Sequence, residues 1–373
     1  MIDKKIKILF VANALEVGGA EKFLLDLLKH LDRSVFEPSL ATVIGGGSLL
    51  KDFQSLNLPL YIHGIKRVRY LGGVVQFWQL YKLMKQLRPD IVHTQLFAAD
   101  LWGRLAAWAA GVPIIITTEQ NVNIDQSWLR ETLKMWTYRL TTQVVAISTA
   151  VKNYAIKRYC LPADKIIIIP NDVDLAALEK RFASAPPKPT DKKIIINTGR
   201  LVPQKGQKYL LEAFALLPQK NNYELWLAGN GPLKKELETQ AQKLGITSQV
   251  KFLGTRHDVP ELLAQAHLFA FSSIFEGLGI AVLEAAAAKL PIVASKIDGI
   301  LDIIKDGESG LLVEPKNPVV LAKAMEELLN NEEKAKLMAM KAYENIKNNF
   351  DISVVVKKYE DLFKKIYEDF ANK

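Results

Sequence analysis

A chain of 373 residues has room for about two to three domains, and 49% hydrophobic against 24% charged residues is the balance of a globular protein, which excludes a disordered, collagen-like or coiled-coil chain. The single cysteine, Cys160, allows neither an internal disulfide nor a cysteine-rich metal site and points to a reducing compartment. A net charge of +9 turns attention to anionic partners.

In chain order, Lys4, Lys5 and Lys7 precede the apolar run Ile8–Ala12, which is too short for a signal peptide, and the first strand-like run is Ile6–Val11. Strand-like runs follow at Ser39–Ile44, Ile91–Thr94, Ile114–Thr118 and Gln143–Ile147, with helical periods such as Glu21–Leu31 and Val74–Leu87 between them. The stretch Ala183–Lys192, with Pro186, Pro187 and Pro189, reads as a linker. The rhythm then restarts at Lys193–Asn197, Glu224–Ala228, Val250–Leu253, Leu268–Phe271 and Pro291–Ala294. Apolar strands alternating with helices predict α/β architecture, with two doubly wound parallel sheets and a cleft between two domains. The expected domains are 1–182 and 193–351, joined by a linker at 183–192. A final amphipathic helix spans 352–373, its apolar face carrying Val355, Tyr359, Leu362, Phe363 and Ile366. No apolar stretch is long enough for a spanning helix, and the expectation is a soluble or peripheral protein.

Ligands of such sheets bind beyond the carboxyl ends of the strands, so residues just after strands carry most weight. Phe275 to Glu284 follows a strand and opens an alanine-rich helix. Its glycines, Gly277 and Gly279, allow close backbone approach, and the first-turn amides of the helix that follows make a candidate anion site. Glu276 suits sugar hydroxyls and Glu284 a ribose diol. After another strand, the loop Asn197 to Gly206 offers the planar fork of Arg200 and the point charge of Lys205, two cations for the two charges of a diphosphate. Gly18, Gly19 and Glu21 end the first strand without the GxGxxG fingerprint of a nicotinamide-type dinucleotide site. The five histidines (His30, His63, His93, His257, His267) show no paired ligand spacing, so no metal site is expected.

Taken together these pieces resemble the family-4 retaining glycosyltransferases of the GT-B fold. The matching segments run in family order: Gly18-Gly19-Ala20-Glu21, Asp90-Ile91-Val92-His93, Thr118-Glu119-Gln120-Asn121, Pro170-Asn171, Gly199-Arg200 with Lys205-Gly206, Gly229-Asn230-Gly231-Pro232, Phe252-Leu253-Gly254, and Glu276 with Glu284. The resemblance implies transfer from a nucleoside-diphosphate sugar, with a UDP-sugar favoured, and no cofactor. Arg200 and Lys205 would hold the diphosphate in place of a metal ion. Glu276 and the amides of Gly277, Leu278, Gly279 and Ile280 would bind sugar and phosphates, and Glu284 the ribose. Arg256, in the loop Gly254–His257, would lie near the base, and Gly18 and Gly19 would line the donor cleft from the other domain. The last helix would cross back onto the first domain. Gln120 stands where relatives often carry a sugar-contacting histidine. Gln can replace the hydrogen bond but not a proton or a charge.

The acceptor implied is a glycan, a polyprenyl-linked sugar or a lipid, in cell-surface polysaccharide or glycolipid assembly. Its shape would be read by loops such as 121–128. Nothing acidic lies between Asp52 and Asp90, whereas Lys66, Arg67, Arg69, Lys82, Lys85 and Arg88 do. Trp78, Lys82 and Lys85 share a helical face, so residues 66–88 would fit an anionic membrane surface, and the enzyme would work in the cytoplasm at the inner face of the cell membrane. A solvated lysine face is the competing reading of that stretch. A nucleotide-sugar epimerase on the same scaffold and a non-catalytic sugar or polyanion binder are the competing functions. No nucleic-acid module is recognisable.

Overall fold

The structure, a computed structural model, describes residues 4–16, 18–63, 71–122, 128–189, 191–218 and 220–372. The chain forms two compact units, residues 1–172 with 352–373, and residues 173–351.

The first unit carries a seven-stranded sheet of β1 (Ile6–Ala12), β2 (Phe36–Thr42), β3 (Leu60–Ile62), β4 (Ile91–Gln95), β5 (Ile114–Glu119), β6 (Gln143–Ala146) and β7 (Ile166–Ile168), in the order β3-β2-β1-β4-β5-β6-β7. All its pairings are parallel. β1 and β4 are buried along nearly their whole length, as strands covered on both faces must be. The second strand starts earlier than the expected Ser39–Ile44, because Phe36 is buried and pairs with Ile6. Pro38 is tolerated there since β3 reaches only Leu40–Thr42, leaving the Pro38 edge without a neighbour that needs its N–H.

The second unit carries β8 (Lys193–Thr198), β9 (Tyr223–Ala228), β10 (Val250–Gly254), β11 (Leu268–Phe271), β12 (Ile292–Ser295) and β13 (Leu311–Val313) in the order β10-β9-β8-β11-β12-β13, again all parallel. Two doubly wound sheets of Rossmann type result. β8 and β11 are neighbours, with Leu268 opposite Ile195 and Phe269 opposite Ile196, yet the chain leaves them toward opposite edges of the sheet. That is the topological switch point, where such sheets open a crevice at their carboxyl ends. The two loops singled out in the sequence, after β8 and after β11, both start there.

The domain boundary differs from the expected one. The break falls between Asp172 and Val173, and the helix Leu175–Ala183 belongs to the second unit rather than to a domain ending at 182. Arg181 decides this: its guanidinium meets Glu261 at 2.9 and 2.6 Å and the His257 carbonyl at 2.6 Å, while Tyr343 donates to Glu179 at 2.6 Å. The prolines Pro186, Pro187 and Pro189 therefore lie in a loop within the second unit. The last helix, Ile352–Ala371, packs in the first unit, with Phe363 edge-on to Phe10 and Phe36 and the Tyr359 hydroxyl 3.1 Å from Thr118 Oγ1. No helix among the described residues is long and apolar enough to cross a membrane.

Candidate active site

In the second unit the loop after β8 folds into a single 3-10 turn, Pro203–Lys205, before the helix Gln207–Ala215. Pro203 presets the turn at its first position. Gly206 ends it with φ 62°, and a Cβ there would lie 2.2 Å from the Ser272 carbonyl oxygen. Only glycine lets this loop press against the start of the loop after β11. Ser272 Oγ donates to the Lys205 carbonyl (3.0 Å), and the Ile274 amide donates to the Gln204 carbonyl (2.8 Å), so the two loops are sewn together.

This contact delivers Lys205 to Glu276. Lys205 Nζ lies 2.6 Å from Glu276 Oε1, their side chains 18% and 8% exposed. Lys205 Nζ also sits 5.4 Å from the centre of the Phe271 ring, which lends it a favourable aromatic face. Gln204 steadies the carboxylate, donating from Nε2 to the Phe275 carbonyl at 2.9 Å and to Glu276 Oε2 at 3.3 Å. Sequence reasoning gave Gln204 no role, since nothing in its spacing distinguishes it from an ordinary loop residue. Gly299 backs the segment, since a Cβ on it would stand 2.5 Å from the Glu276 carbonyl oxygen.

Arg200 stands at the exposed edge of the same loop, its side chain without a partner among the described residues, while its carbonyl accepts from Gln207 Nε2 at 3.0 Å. The loop's path is set by crowding with the turn after β9. A Cβ on Gly229 would fall 1.9 Å from the Gly199 oxygen, and Leu201 N donates to the Asn230 carbonyl at 3.0 Å.

The carboxylates lie on different elements. Glu276 precedes the helix Ile280–Ala287, whereas Glu284 is inside it and half-buried, so the seven-residue interval spans a loop and a helix rather than one helical face. Of the amides proposed for an anion, those of Gly279 and Ile280 are spent within the chain, on the carbonyls of Gly299 (3.3 Å) and Leu278 (3.0 Å). That leaves a smaller contribution from helix-start amides than the glycine spacing implies. Arg256 is exposed and held by Asp258 through contacts of 2.7 and 2.5 Å, which lower the Asp258 carboxyl and raise the guanidinium. It follows Gly254, which takes φ 68° at the end of β10.

The first unit holds the remaining predicted residues. Gly19 begins the helix Gly19–His30 and Gly18 caps it; Glu21 folds back so closely that a Cβ on Gly18 would meet its Oε2 at 2.4 Å. Burial raises the Glu21 carboxyl above its ordinary range. Gln120, just past β5, is buried and accepts from Asn171 Nδ2 at 2.9 Å, which leaves its Nε2 without a partner among the described residues. On the neighbouring strand β4, His93 Nε2 lies 2.8 Å from Thr118 Oγ1, and burial drives the His93 pKa down to about 3. Of the basic stretch, residues 66–70 lie outside the described residues, as do residues 123–127 of the loop expected to read the acceptor. Among the described residues no three His, Cys, Asp or Glu side chains gather as a metal ion would require.

Two sequence-family models divide the chain between them. The one described as Glycosyltransferase Family 4 matches residues 17–177, and the one described as Glycosyl transferases group 1 matches residues 179–345. The chain is a family-4-like glycosyltransferase. Its fold is GT-B: the structure of Anabaena HepE in complex with UDP superposes with a TM-score of 0.83 at 22% identity, covering 96% of this chain and 100% of that one. Among curated relatives, the Escherichia coli UDP-Gal:alpha-D-GlcNAc-diphosphoundecaprenol alpha-1,3-galactosyltransferase is 28% identical, over 96% of this glycosyltransferase and 97% of its own length. A Campylobacter jejuni alpha-1,4-N-acetyl-D-galactosaminyltransferase, named for a diNAcBac-PP-undecaprenol-linked acceptor, is 26% identical over 97% and 99%.

Proposed function

We propose that this glycosyltransferase moves a hexosyl group from a UDP-sugar to a polyprenyl-diphosphate-linked or lipopolysaccharide-type acceptor, with retention at the anomeric carbon and without a metal ion. The observation that carries the reading is the Lys205–Glu276 pair at the β8/β11 switch point, with Lys205 on the loop that also carries Arg200. The names of the two relatives, both built on undecaprenol diphosphate, support the acceptor class, and the UDP in the HepE structure supports the donor.

In this reading Arg200 forks onto the diphosphate and Lys205, with three N–H donors, serves a phosphate oxygen while keeping Glu276 in place. Glu276 accepts from sugar hydroxyls and Glu284 from the ribose diol. The bond from C1 of the sugar to the diphosphate oxygen breaks, and UDP leaves with the electron pair. The acceptor hydroxyl forms the new C1–O bond on the same face, and its proton passes to the departing phosphate. The cations act where negative charge grows, and such preorganised groups are each worth about 10²–10³ in kcat.

A lipid-linked acceptor calls for approach to a membrane. Trp78 is 52% exposed, and Lys82 and Lys85 on its helix, Leu71–Leu87, are exposed as well, which supports reading this face as one that meets anionic lipid. Trp108, Trp128 and Trp136, on two further helices of the first unit, are at least as open.

The test is incubation of the purified protein with a panel of UDP-hexoses and a synthetic polyprenyl-diphosphate-linked sugar, with the anomeric configuration of the product read by proton NMR. A product retaining the donor configuration is expected. An inverted product refutes the mechanism, and conversion of donor alone into a second nucleotide-sugar replaces transfer by epimerisation.

A further inference from the structure

At the amino ends of the second unit's strands, opposite the edge that carries Arg200 and Lys205, lies a cavity of about 530 Å3. Its floor is the start of three neighbouring strands: Lys193 begins β8, His267 immediately precedes β11 and Pro291 precedes β12. Its walls are Leu328 and Leu329, near the end of the helix Pro318–Asn330, and Glu332, Ala335 and Lys336, on the first turns of the helix Glu332–Asn349. Lys188 and Lys289 complete the lining, so four lysines and a single carboxylate residue, Glu332, line the cavity.

The cationic side chains are not all loose. Lys193 Nζ is tied to the Leu329 carbonyl at 2.7 Å, and Lys289 Nζ stands 4.4 Å over the Tyr343 ring. His267 is the fixed element. Its Nδ1 accepts the Ile194 amide at 3.0 Å, which places the ring proton on Nε2 and makes the imidazole a neutral hydrogen-bond donor. Burial, then the charges of Lys188 and Lys193, hold its pKa below the ordinary histidine value, consistent with cations on that side of the ring.

We propose that this cavity is a second anion site, distinct from the donor site, that binds a small phosphorylated molecule through Lys188, Lys193, Lys289, Lys336 and His267. Four positive charges against Glu332 leave a surplus matched by the two to three negative charges of a phosphate monoester or a diphosphate. Its size exceeds what a bare phosphate fills and falls within the range of small-molecule sites. The apolar side chains of Pro291, Leu328, Leu329 and Ala335 would cover the uncharged body of the ligand. The group recognised is the phosphate; the remainder is selected by shape.

Inorganic diphosphate is the probe, titrated calorimetrically at low salt into the full-length protein with and without saturating UDP. Diphosphate binding that persists under UDP is expected, weakening several-fold when salt is raised. Lys289→Gln with Lys336→Gln, both exposed side chains, should weaken it at least tenfold while leaving UDP affinity and the melting temperature unchanged. Absence of any UDP-insensitive diphosphate binding in the wild-type chain overturns the proposal, and so does binding indifferent to those two lysines.

Discussion

Replacing Lys205 with alanine separates two roles that one side chain holds. Lys205 neutralises Glu276 at 2.6 Å, and without it the carboxylate, 8% exposed, keeps, among the described residues, the Gln204 amide at 3.3 Å. Removing one partner of a fully buried ion pair costs about 3–5 kcal/mol. Lys205 retains 18% exposure, so water screens part of this, and a cost of roughly 1–3 kcal/mol remains. For a unit of this size that corresponds to a melting temperature lower by about 2–12 °C. Lys205→Ala with Glu276→Gln removes the stranded charge and should recover most of that loss. Transfer should not recover: loss of a charge-stabilising group costs about 10²–10³ in kcat. Arg200→Ala is the control, because an exposed side chain without a partner contributes within about 0.5 kcal/mol to stability, yet its transfer should fall steeply. Thermal melts and initial rates on these variants give the answer. A Lys205→Ala protein that melts and turns over like wild type refutes the reasoning.

Other consequences are measurable separately. Gly206→Ala forces a Cβ to 2.2 Å from the Ser272 oxygen at φ 62°, and should lower stability by more than about 1 kcal/mol and reduce transfer with it, by melting and rate assays. His93, with its pKa near 3 when folded against 6.5 when free, leaves the unfolded chain binding more protons below pH 6.5; stability is complete above that pH and falls as pH drops toward 3, by about 2 kcal/mol at pH 5. Its ring signals should not titrate between pH 5 and 8, and His93→Gln should flatten the slope in acid melts. Trp78→Ala with Lys82→Ala and Lys85→Ala should abolish flotation with anionic vesicles at low salt; unaltered flotation removes that helix from the membrane reading.

Much of the fold was legible because parallel strands buried on both faces announce themselves as apolar runs, as at Ile6–Ala12 and Leu268–Phe271. The three-residue strands Leu60–Ile62, Ile166–Ile168 and Leu311–Val313 carry too little pattern to stand out from loops. The boundary was misplaced for a different reason. Prolines mark a stretch that makes no regular structure, whereas the cut depends on where Arg181 finds its partner, eighty residues on in the sequence. At the candidate site, Arg200, Lys205, Glu276 and Glu284 were singled out by spacing and family likeness. The pairing of Lys205 with Glu276 was not, since it arises from the adjacency of β8 and β11 and from the close approach that Gly206 permits. The same holds for Asn171, which orients Gln120 across 51 residues of chain.

The central claim is that cations of the second unit hold the donor's diphosphate, and calorimetric titration of UDP into wild type and the Arg200→Ala, Lys205→Ala double variant addresses it directly. Two charge-assisted contacts of about 1.5–3 kcal/mol each predict an affinity at least about 100-fold weaker in the variant. Equal affinity in the two proteins would contradict the account.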